Sequence, residues 1–178
     1  RYPEASPSLL FRNNNGVFEP DANNTKALSA VGIVNGAVFS DLNGDGFPEL
    51  ILSCEWGPVR VLRNDRGQLR DATEAFGLSG FVGWWNGVAA GDFDGDGRLD
   101  FVASNWGDNH SRAAAAAFDY KVYAGDLDEN GTFDLIEAHR ELRLAKDLFF
   151  RDFKTLAQAL PQLRERYATY REFAAASP

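Results

Sequence analysis

The sequence predicts a mainly β protein, built from repeated units of four short antiparallel strands and followed by a helical C-terminal segment. Two observations lead to this fold class. Short apolar runs rich in β-branched and aromatic residues alternate with acidic or glycine-containing turns over residues 1–138, as in buried strands. Identical residues also recur in this region at a spacing of 51 positions, which indicates an internal repeat.

The repeat has the length expected for four short strands and their turns, the content of one β-propeller blade. The identical pairs at this spacing are Arg12 and Arg63, Asn13 and Asn64, Gly16 and Gly67, Asn35 and Asn86, Gly36 and Gly87, and Asp41 and Asp92. We therefore expect part of a propeller, with two to three blades in this chain.

The first complete blade is expected to begin near residue 36 and to follow a hairpin over residues 8–20. Its predicted elements are strands over 36–40, 50–55, 59–64 and 68–72, an acidic loop over 41–49 and a tight turn over 65–67.

Three acidic loops lie between predicted strands, and the clearest reads D-x-D-x-D-G-x-x-D over residues 92–100. Carboxylates at alternate positions can curl toward one point, which is unfavourable unless a cation fills the centre. Calcium suits such a loop because it takes about 6–8 oxygen ligands in flexible geometry. Gly97 is expected to adopt backbone angles that a residue with a Cβ avoids. The other copies span residues 41–49 and 126–134.

We expect two to three calcium ions, bound by side-chain oxygens and by the backbone carbonyl of Arg98. The expected ligand residues are Asp41, Asn43, Asp45, Phe47 and Glu49 in the first loop, Asp92, Asp94, Asp96, Arg98 and Asp100 in the second, and Asp126, Asp128, Asn130, Thr132 and Asp134 in the third. The first loop is the weakest candidate, because Glu49 replaces the final aspartate and follows Pro48.

The EF-hand is the rival calcium loop, and two features argue against it. An EF-hand needs a bidentate glutamate at position 12 and a helix on each side. Position 12 is Leu52 in the first loop, Ala103 in the second and Glu137 in the third. The runs that flank all three loops are short and apolar, which predicts strands.

The unit strand–DxDxDGxxD–strand resembles the FG-GAP/VCBS repeat of the integrin α-subunit propeller and of many bacterial secreted proteins. The string from Gly83 to Asp92, continuing to Asn105-Trp106-Gly107, resembles the VCBS-repeat proteins of the ASPIC/UnbV and cartilage-acidic-protein type. The resemblance covers most of residues 8–138. It implies a β-propeller with calcium in its blades, but it does not imply one activity.

The third loop departs from the repeat spacing of 51 positions, since Asp126 follows Asp92 by only 34 positions. Two accounts remain open. The loop starts a shortened third blade, or it occupies the hairpin turn between the third and fourth strands of the second blade. We favour the second account slightly, with 107–117 as an inserted loop that contains the alanine run Ala113–Ala117.

Residues 139–178 are expected to form a helical insertion or tail that packs on the propeller of residues 1–138. Apolar residues at helical spacing are Phe149, Phe153, Leu156, Leu160, Leu163 and Tyr167. Asp152 is the expected N-cap, and Pro161 should end this helix near Ala159. Thr169-x-x-Glu172 predicts a capping box for a last short helix.

The composition narrows the classes of function. The net charge is −8, and about three calcium ions would largely offset it, so the acidity indicates metal sites rather than a basic partner. The sequence has no basic patch with interleaved aromatics, which disfavours nucleic-acid binding. Cys54 is the only cysteine, so no intrachain disulfide forms, and we expect it in the core. No apolar stretch is long enough to cross a membrane.

The favoured function is a calcium-binding module for a protein or glycan partner, with Trp84 and Trp85 as candidate exposed binding aromatics. Since the chain starts at Arg1 and has no methionine, we expect a piece or subunit of a larger extracellular or periplasmic protein. The alternative is a propeller-based polysaccharide lyase or hydrolase. His110 and His139, the only histidines, lie in no recognisable catalytic motif, so enzymatic activity is left open and disfavoured.

Overall fold

The computed structural model describes residues 4–107 and 120–176. The chain is mainly β, with antiparallel sheets and short helices. It divides into two compact units, residues 1–107 and residues 108–178. The predicted domain boundary between residues 138 and 139 falls inside a strand of the second unit. Among the described residues, no helix has the length and apolar character needed to span a membrane.

The first unit follows the strand order that the repeat predicts. Its elements are β1 Phe11–Asn14, β2 Val17–Pro20, α1 Ala22–Ala27, β3 Ile33–Ser40, β4 Glu49–Glu55, β5 Arg60–Asp65, β6 Gln68–Asp71, β7 Trp85–Gly91 and β8 Asp100–Asn105. Strands β3 to β6 form one four-stranded antiparallel sheet in chain order, whereas β1–β2 and β7–β8 form two-stranded sheets. The N-terminal hairpin and the four strands of the first predicted blade are thus confirmed.

The hairpins β1–β2 and β5–β6 close with the same two-residue turn. The side-chain Oδ1 of Asn13 accepts a hydrogen bond from Gly16 N at 2.8 Å, and Asn64 Oδ1 accepts one from Gly67 N at 2.7 Å. Both glycines have positive φ, +91° and +95°, where a Cβ would be strained. The repeated Asn and Gly therefore mark a repeated turn geometry.

The strand pairs β3–β4 and β7–β8 repeat one another in register as well. Val38 pairs with Ile51, and Ala89 pairs with Val102, each 51 positions later. Both ladders also carry an irregularity at the same place, before Gly36 in β3 and before Gly87 in β7. The internal repeat extends to this bulge.

Strand β4 is buried on both faces, because side chains alternate across a strand. One face packs into a cluster that contains Leu28, Val31, Leu50, Leu52, Cys54, Leu62 and Leu69. The other face packs into a cluster of Ile51, Val59 and Val61, to which partly buried residues of β7 and β8 are added. Cys54 is fully buried, and burial raises the pKa of its thiol to about 11, so it is a core residue as expected.

Helix α1 covers the free edge of β6 through one side chain. The Nδ2 of Asn24 donates to Gly67 O at 2.8 Å, and Leu69 N donates to Asn24 Oδ1 at 2.8 Å. One carboxamide thus satisfies a carbonyl and an N–H, as a further strand would. Asp21 caps the helix, and a hydrogen bond from Arg12 lowers the pKa of that carboxyl.

The second unit contains a three-stranded sheet and three short helices. Its elements are β9 Tyr120–Gly125, β10 Asp134–Glu141, β11 Lys146–Phe149, α2 Phe153–Ala159, α3 Gln162–Arg166 and α4 Tyr170–Ala175. The sheet order is β11-β10-β9, so the third loop joins the first two strands of a separate sheet, as the first loop does. Within the second unit this arrangement favours the account in which the third loop starts a shortened third blade over the hairpin account. Apart from Gly107, the predicted insert 107–117 lies outside the described residues.

The helical predictions for the C-terminal segment are confirmed in most details. Asp152 Oδ1 accepts from Thr155 N at 2.7 Å, α2 ends at Ala159, and Thr169 and Glu172 form the capping box of α4. The helices pack on the sheet through Ile136, Leu156, Leu160 and Phe173, with Tyr123, Phe149, Phe153, Leu163 and Tyr167 around them. The prediction that Phe149 belongs to the helical stripe is wrong, since this residue ends β11. The strands run past residue 139, so the helical part begins at Phe153.

A buried carboxylate ties the three strands of this sheet together. Asp147 in β11 is 8% exposed and accepts from Lys121 Nζ at 3.0 Å and from Arg140 Nη1 at 3.3 Å. Tyr123 Oη also donates to it at 3.3 Å. The hydrogen bond from Lys121 holds the pKa of Asp147 below its ordinary value, with Arg140 acting in the same direction.

Substitution of Asn24 tests the covered edge of β6. We expect Asn24→Ala to lower the free energy of unfolding of the first unit by about 1–3 kcal/mol, because it leaves Gly67 O and Leu69 N without their partner. The neighbouring Asn23→Ala, at an exposed position of the same helix, is the matched control. Tryptophan fluorescence during denaturant unfolding reports this unit alone, since all four tryptophans lie within residues 56–106. Equal losses in both variants would contradict the edge role of Asn24.

Asp147 predicts a pH dependence for the second unit. A carboxyl with a lowered folded-state pKa adds stability that is fully present above its unfolded value, about 3.9, and is lost as the pH falls through the folded value. Wild type should therefore lose tyrosine-monitored stability below about pH 4 more steeply than Asp147→Asn does. The exposed carboxylate of α3 supplies the control Glu165→Gln, whose acid profile should follow wild type. Matching acid profiles in wild type and Asp147→Asn would show that the contacts of Asp147 do not make the stability depend on pH.

Candidate metal centres in three acidic loops

Each acidic loop closes an antiparallel strand pair at the same register. The pairs that flank the loops are Ser40 with Glu49, Gly91 with Asp100, and Gly125 with Asp134. Position 9 of the loop is thus the first residue of the second strand. Every loop has a strand on each side, which confirms the prediction that these loops are not EF-hands.

In the second loop, the first aspartate organises the backbone. Asp92 Oδ1 accepts from Gly95 N at 2.8 Å and Asp96 N at 3.1 Å, and its Oδ2 accepts from Gly97 N at 3.0 Å. At the far end of the loop, Asp100 Oδ2 accepts from Phe93 N at 3.1 Å. These bonds fix the carboxylates while leaving lone pairs on each of them free for other ligands.

The first and third loops repeat this scheme position by position. Position 1 accepts from the N–H of position 6 at 2.9 Å in both, through Asp41 and Asp126. Position 5 accepts from the N–H of position 7 in all three loops, and Thr132 Oγ1 also donates to Asn130. Position 9 accepts from the N–H of position 2 in all three.

The tight curl requires positive φ at positions 4 and 6. Gly97 has φ +83°, as expected, and Gly95 has φ +79°. The third loop places Glu129, rather than glycine, at position 4 with φ +58°. A non-glycine residue costs free energy in that region, so the hydrogen bonds of the loop hold it there.

Two of the loops bring three carboxylates together. Oxygens of Asp92, Asp94 and Asp100 lie within 4.8 Å of one another, and so do oxygens of Asp126, Asp128 and Asp134. Calcium–oxygen distances of about 2.3–2.6 Å put two ligand oxygens up to about 5 Å apart, so the spacing fits a calcium ion. Two like charges about 4 Å apart repel by ~1 kcal/mol in water and by ~4 kcal/mol near a protein surface, which favours a bound cation.

The first loop differs at the positions that converge. Asn43 stands at position 3, where its Nδ2 donates to Asp45 Oδ2 at 3.0 Å and to Glu49 Oε1 at 3.4 Å. Glu49 is 1% exposed, and its Oε2 accepts from Leu42 N at 3.1 Å, the bond that aspartate makes in the other loops. The longer side chain keeps the backbone contact, but this loop offers fewer carboxylates at the converging positions.

One residue outside the loops supports the first loop and was not among the predicted site residues. Asn64 Nδ2 donates to Pro48 O at 2.9 Å, and Asn64 N lies 3.5 Å from Glu49 Oε1. Asn64 also closes the β5–β6 turn, so it joins that turn to the loop. Its recurrence in the repeat was the available signal, but a repeated turn residue does not reveal a contact with another loop.

The remaining predicted ligands lie beside the converging oxygens. Asp96 and its equivalents Asp45 and Asn130 accept from the N–H groups of Arg98, Phe47 and Thr132. Asp96 is not a member of the close group of its loop. Ligation by position 5 and by the carbonyls of position 7 stays a prediction.

Tryptophans gather at the opposite end of the strand pairs. Trp84 lies against Trp56 and Trp106, with ring centroids 5.0 and 4.5 Å away. Trp85 packs into the core between the sheets, and its Nε1 donates to Phe81 O at 3.0 Å. Trp84 and Trp85 are therefore half-buried, which corrects their expected exposure, whereas Trp106 is 43% exposed.

Of the two histidines, only His139 lies among the described residues. His139 lies in β10 against the ring of Phe150, and its buried Nδ1 has no hydrogen-bond partner in that part of the chain. His110 and the alanine run 113–117 lie outside the described residues.

Comparison with known proteins identifies one family in this chain. The profile of the FG-GAP-like repeat family matches residues 41–103, which contain the first two loops and strands β4 to β8 apart from the end of β8. Comparisons with curated proteins and with solved structures give no significant match. The chain therefore contains an FG-GAP-like repeat over residues 41–103, as its sequence motifs predict.

Proposed function

We propose that this chain is a calcium-stabilised interaction module of the integrin-like type, forming part of a β-propeller and binding a protein or glycan partner. The observation that carries the proposal is the convergence of three carboxylates in the second and third loops, within 4.8 Å of one another. The FG-GAP-like repeat supports the interaction role. The four-stranded sheet, covered on both faces, supports the propeller.

Calcium has a structural role in this proposal. The ion binds the oxygens that the backbone N–H groups already orient, and it removes the repulsion between them. Metal that binds only the folded state stabilises that state, by about 2.7 kcal/mol at 100 times the dissociation constant. Exposed loops with few carboxylates suit the millimolar calcium outside cells, so we place the protein in an extracellular or periplasmic setting.

The metal stoichiometry tests the proposal directly. Native mass spectrometry should show two to three calcium ions on wild type and one fewer on Asp92→Asn with Asp94→Asn, because that pair removes two of three converging charges. The control, Asp65→Asn with Glu74→Gln, changes the net charge equally outside the loops and should keep every ion. Wild type without calcium, or an unchanged count in the loop variant, would rule out a site in the second loop.

Calcium should also stabilise each unit through its own loops. Added calcium should raise the midpoint of tryptophan-monitored unfolding, which reports the first two loops, and a chelator should reverse the rise. The loop variant Asp126→Asn with Asp128→Asn should keep that tryptophan response, because its site lies in the second unit. A chelator that leaves the midpoint of wild type unchanged would show that the loops are acidic turns without a structural ion.

A further inference from the structure

The third loop and the C-terminal helices contact each other within the second unit. Gln162, the first residue of α3, donates from its Nε2 to the backbone carbonyl of Leu127 at 3.2 Å. Leu127 holds position 2 of the loop, between Asp126 and Asp128. One carboxamide thus joins a helix to the stretch of backbone that carries two of the three converging carboxylates.

The position of Leu127 depends in turn on the third of those carboxylates. Asp134 Oδ2 accepts a hydrogen bond from Leu127 N at 3.0 Å. The peptide groups on either side of the Leu127 Cα are therefore held, one by a converging carboxylate and the other by Gln162 of α3. A change in the spacing of the three carboxylates moves the carbonyl that Gln162 binds.

Strand β10 makes a second connection between the loop and the helices. Side chains at alternate positions share one face of a strand, so Asp134 and Ile136 lie on the same side of β10. Ile136 is buried with Leu156, Leu160 and Phe173, in the core that the helices share with the sheet. The strand that begins at position 9 of the loop thus enters the helical core two residues later.

The apolar residues on either side of Gln162 place it for its contact with the loop. Leu160, which caps the end of α2, is 4% exposed, and Leu163 packs against the same cluster. Leu163 N donates to Leu160 O at 3.1 Å, which closes the turn between α2 and α3. The carboxamide of Gln162 therefore reaches the loop when these helices are docked on the sheet.

The three helices depend on docking for their formation. Helices α2, α3 and α4 have 7, 5 and 6 residues. Isolated helices shorter than about 12–15 residues are marginal in water. A second polar contact holds the end of this segment, since Lys146 Nζ from β11 donates to Ala174 O at 2.6 Å. A change in the strength of docking should therefore appear as a change in helix formation.

We infer that calcium binding in the third loop is coupled to the docking of helices α2 to α4, with Gln162 as the residue that joins them. The inference rests on the proposed calcium sites and adds a conformational response to one of them. An ion that holds the three carboxylates together fixes the Leu127 carbonyl where Gln162 binds it, and so favours the docked helices. Coupling between two sites is reciprocal, so docked helices favour the bound ion by the same factor.

Hydrogen exchange on the full chain tests the coupling, with mass spectrometry of peptides from the loop and from the helices. The protection of residues 126–134 as a function of calcium concentration gives the midpoint of the third site. In wild type, the protection of residues 153–175 should rise with the same midpoint. In the variant Asp126→Asn with Asp128→Asn, the protection of the helices should not respond to calcium.

Replacement of Gln162 tests the contact itself. Gln162→Ala should raise the calcium midpoint of the third loop about two- to tenfold, the factor that one hydrogen bond typically contributes, and should weaken the calcium response of the helices. The control Gln158→Ala replaces the same residue type at an exposed position of α2, and it should match wild type in both measurements.

The two measurements separate this inference from the proposed function. Calcium that protects the loop of wild type but leaves the helices unchanged would overturn the coupling alone. A midpoint of Gln162→Ala equal to that of Gln158→Ala would also overturn it and leave the calcium site intact. A loop whose exchange does not respond to calcium would overturn both the coupling and the calcium site of the third loop.

Discussion

The first aspartate of each loop accepts hydrogen bonds from backbone N–H groups, and the strand pairs depend on this interaction. One carboxylate satisfies the donors of positions 5 and 6, and in the first and second loops that of position 4 as well. It thereby curls eight residues so that position 9 begins the returning strand. The same curl draws further carboxylates inward, so the geometry that closes the strand pair also creates the repulsion that a cation relieves.

Local sequence signals predicted the parts of the fold that local physics determines. The two-residue turns follow from Asn and Gly at fixed spacing, and the capping box of α4 follows from Thr169 and Glu172. The loops were predictable for the same reason, since the hydrogen bonds within each loop join residues at most seven positions apart. Strand bounds in the first repeat agree to within one residue because apolar runs end where these turns begin, except that β3 begins at Ile33 and not near residue 36.

The sequence was less informative where a residue is placed by distant contacts. Trp84 and Trp85 follow a long connecting segment, and only packing against Trp106 and the core between the sheets buries them. Phe149 fits a helical stripe by spacing, but the strand pairing of β11 with β10 decides its position. The place of the third loop depended on which strands pair, and the spacing of the motifs did not contain that information.

The loops and the packing of the two sheets of the first unit are coupled through strand register. Side chains alternate across a strand, so a slip of one residue would turn Val88, Phe101 and Ala103 away from the core that they share with Ile51. The loop fixes the register at one end of β7–β8, by pairing Gly91 with Asp100, and the bulge before Gly87 adjusts it at the other. An ion in the second loop would therefore favour the packing of Val88, Phe101 and Ala103 against the first sheet without touching these residues.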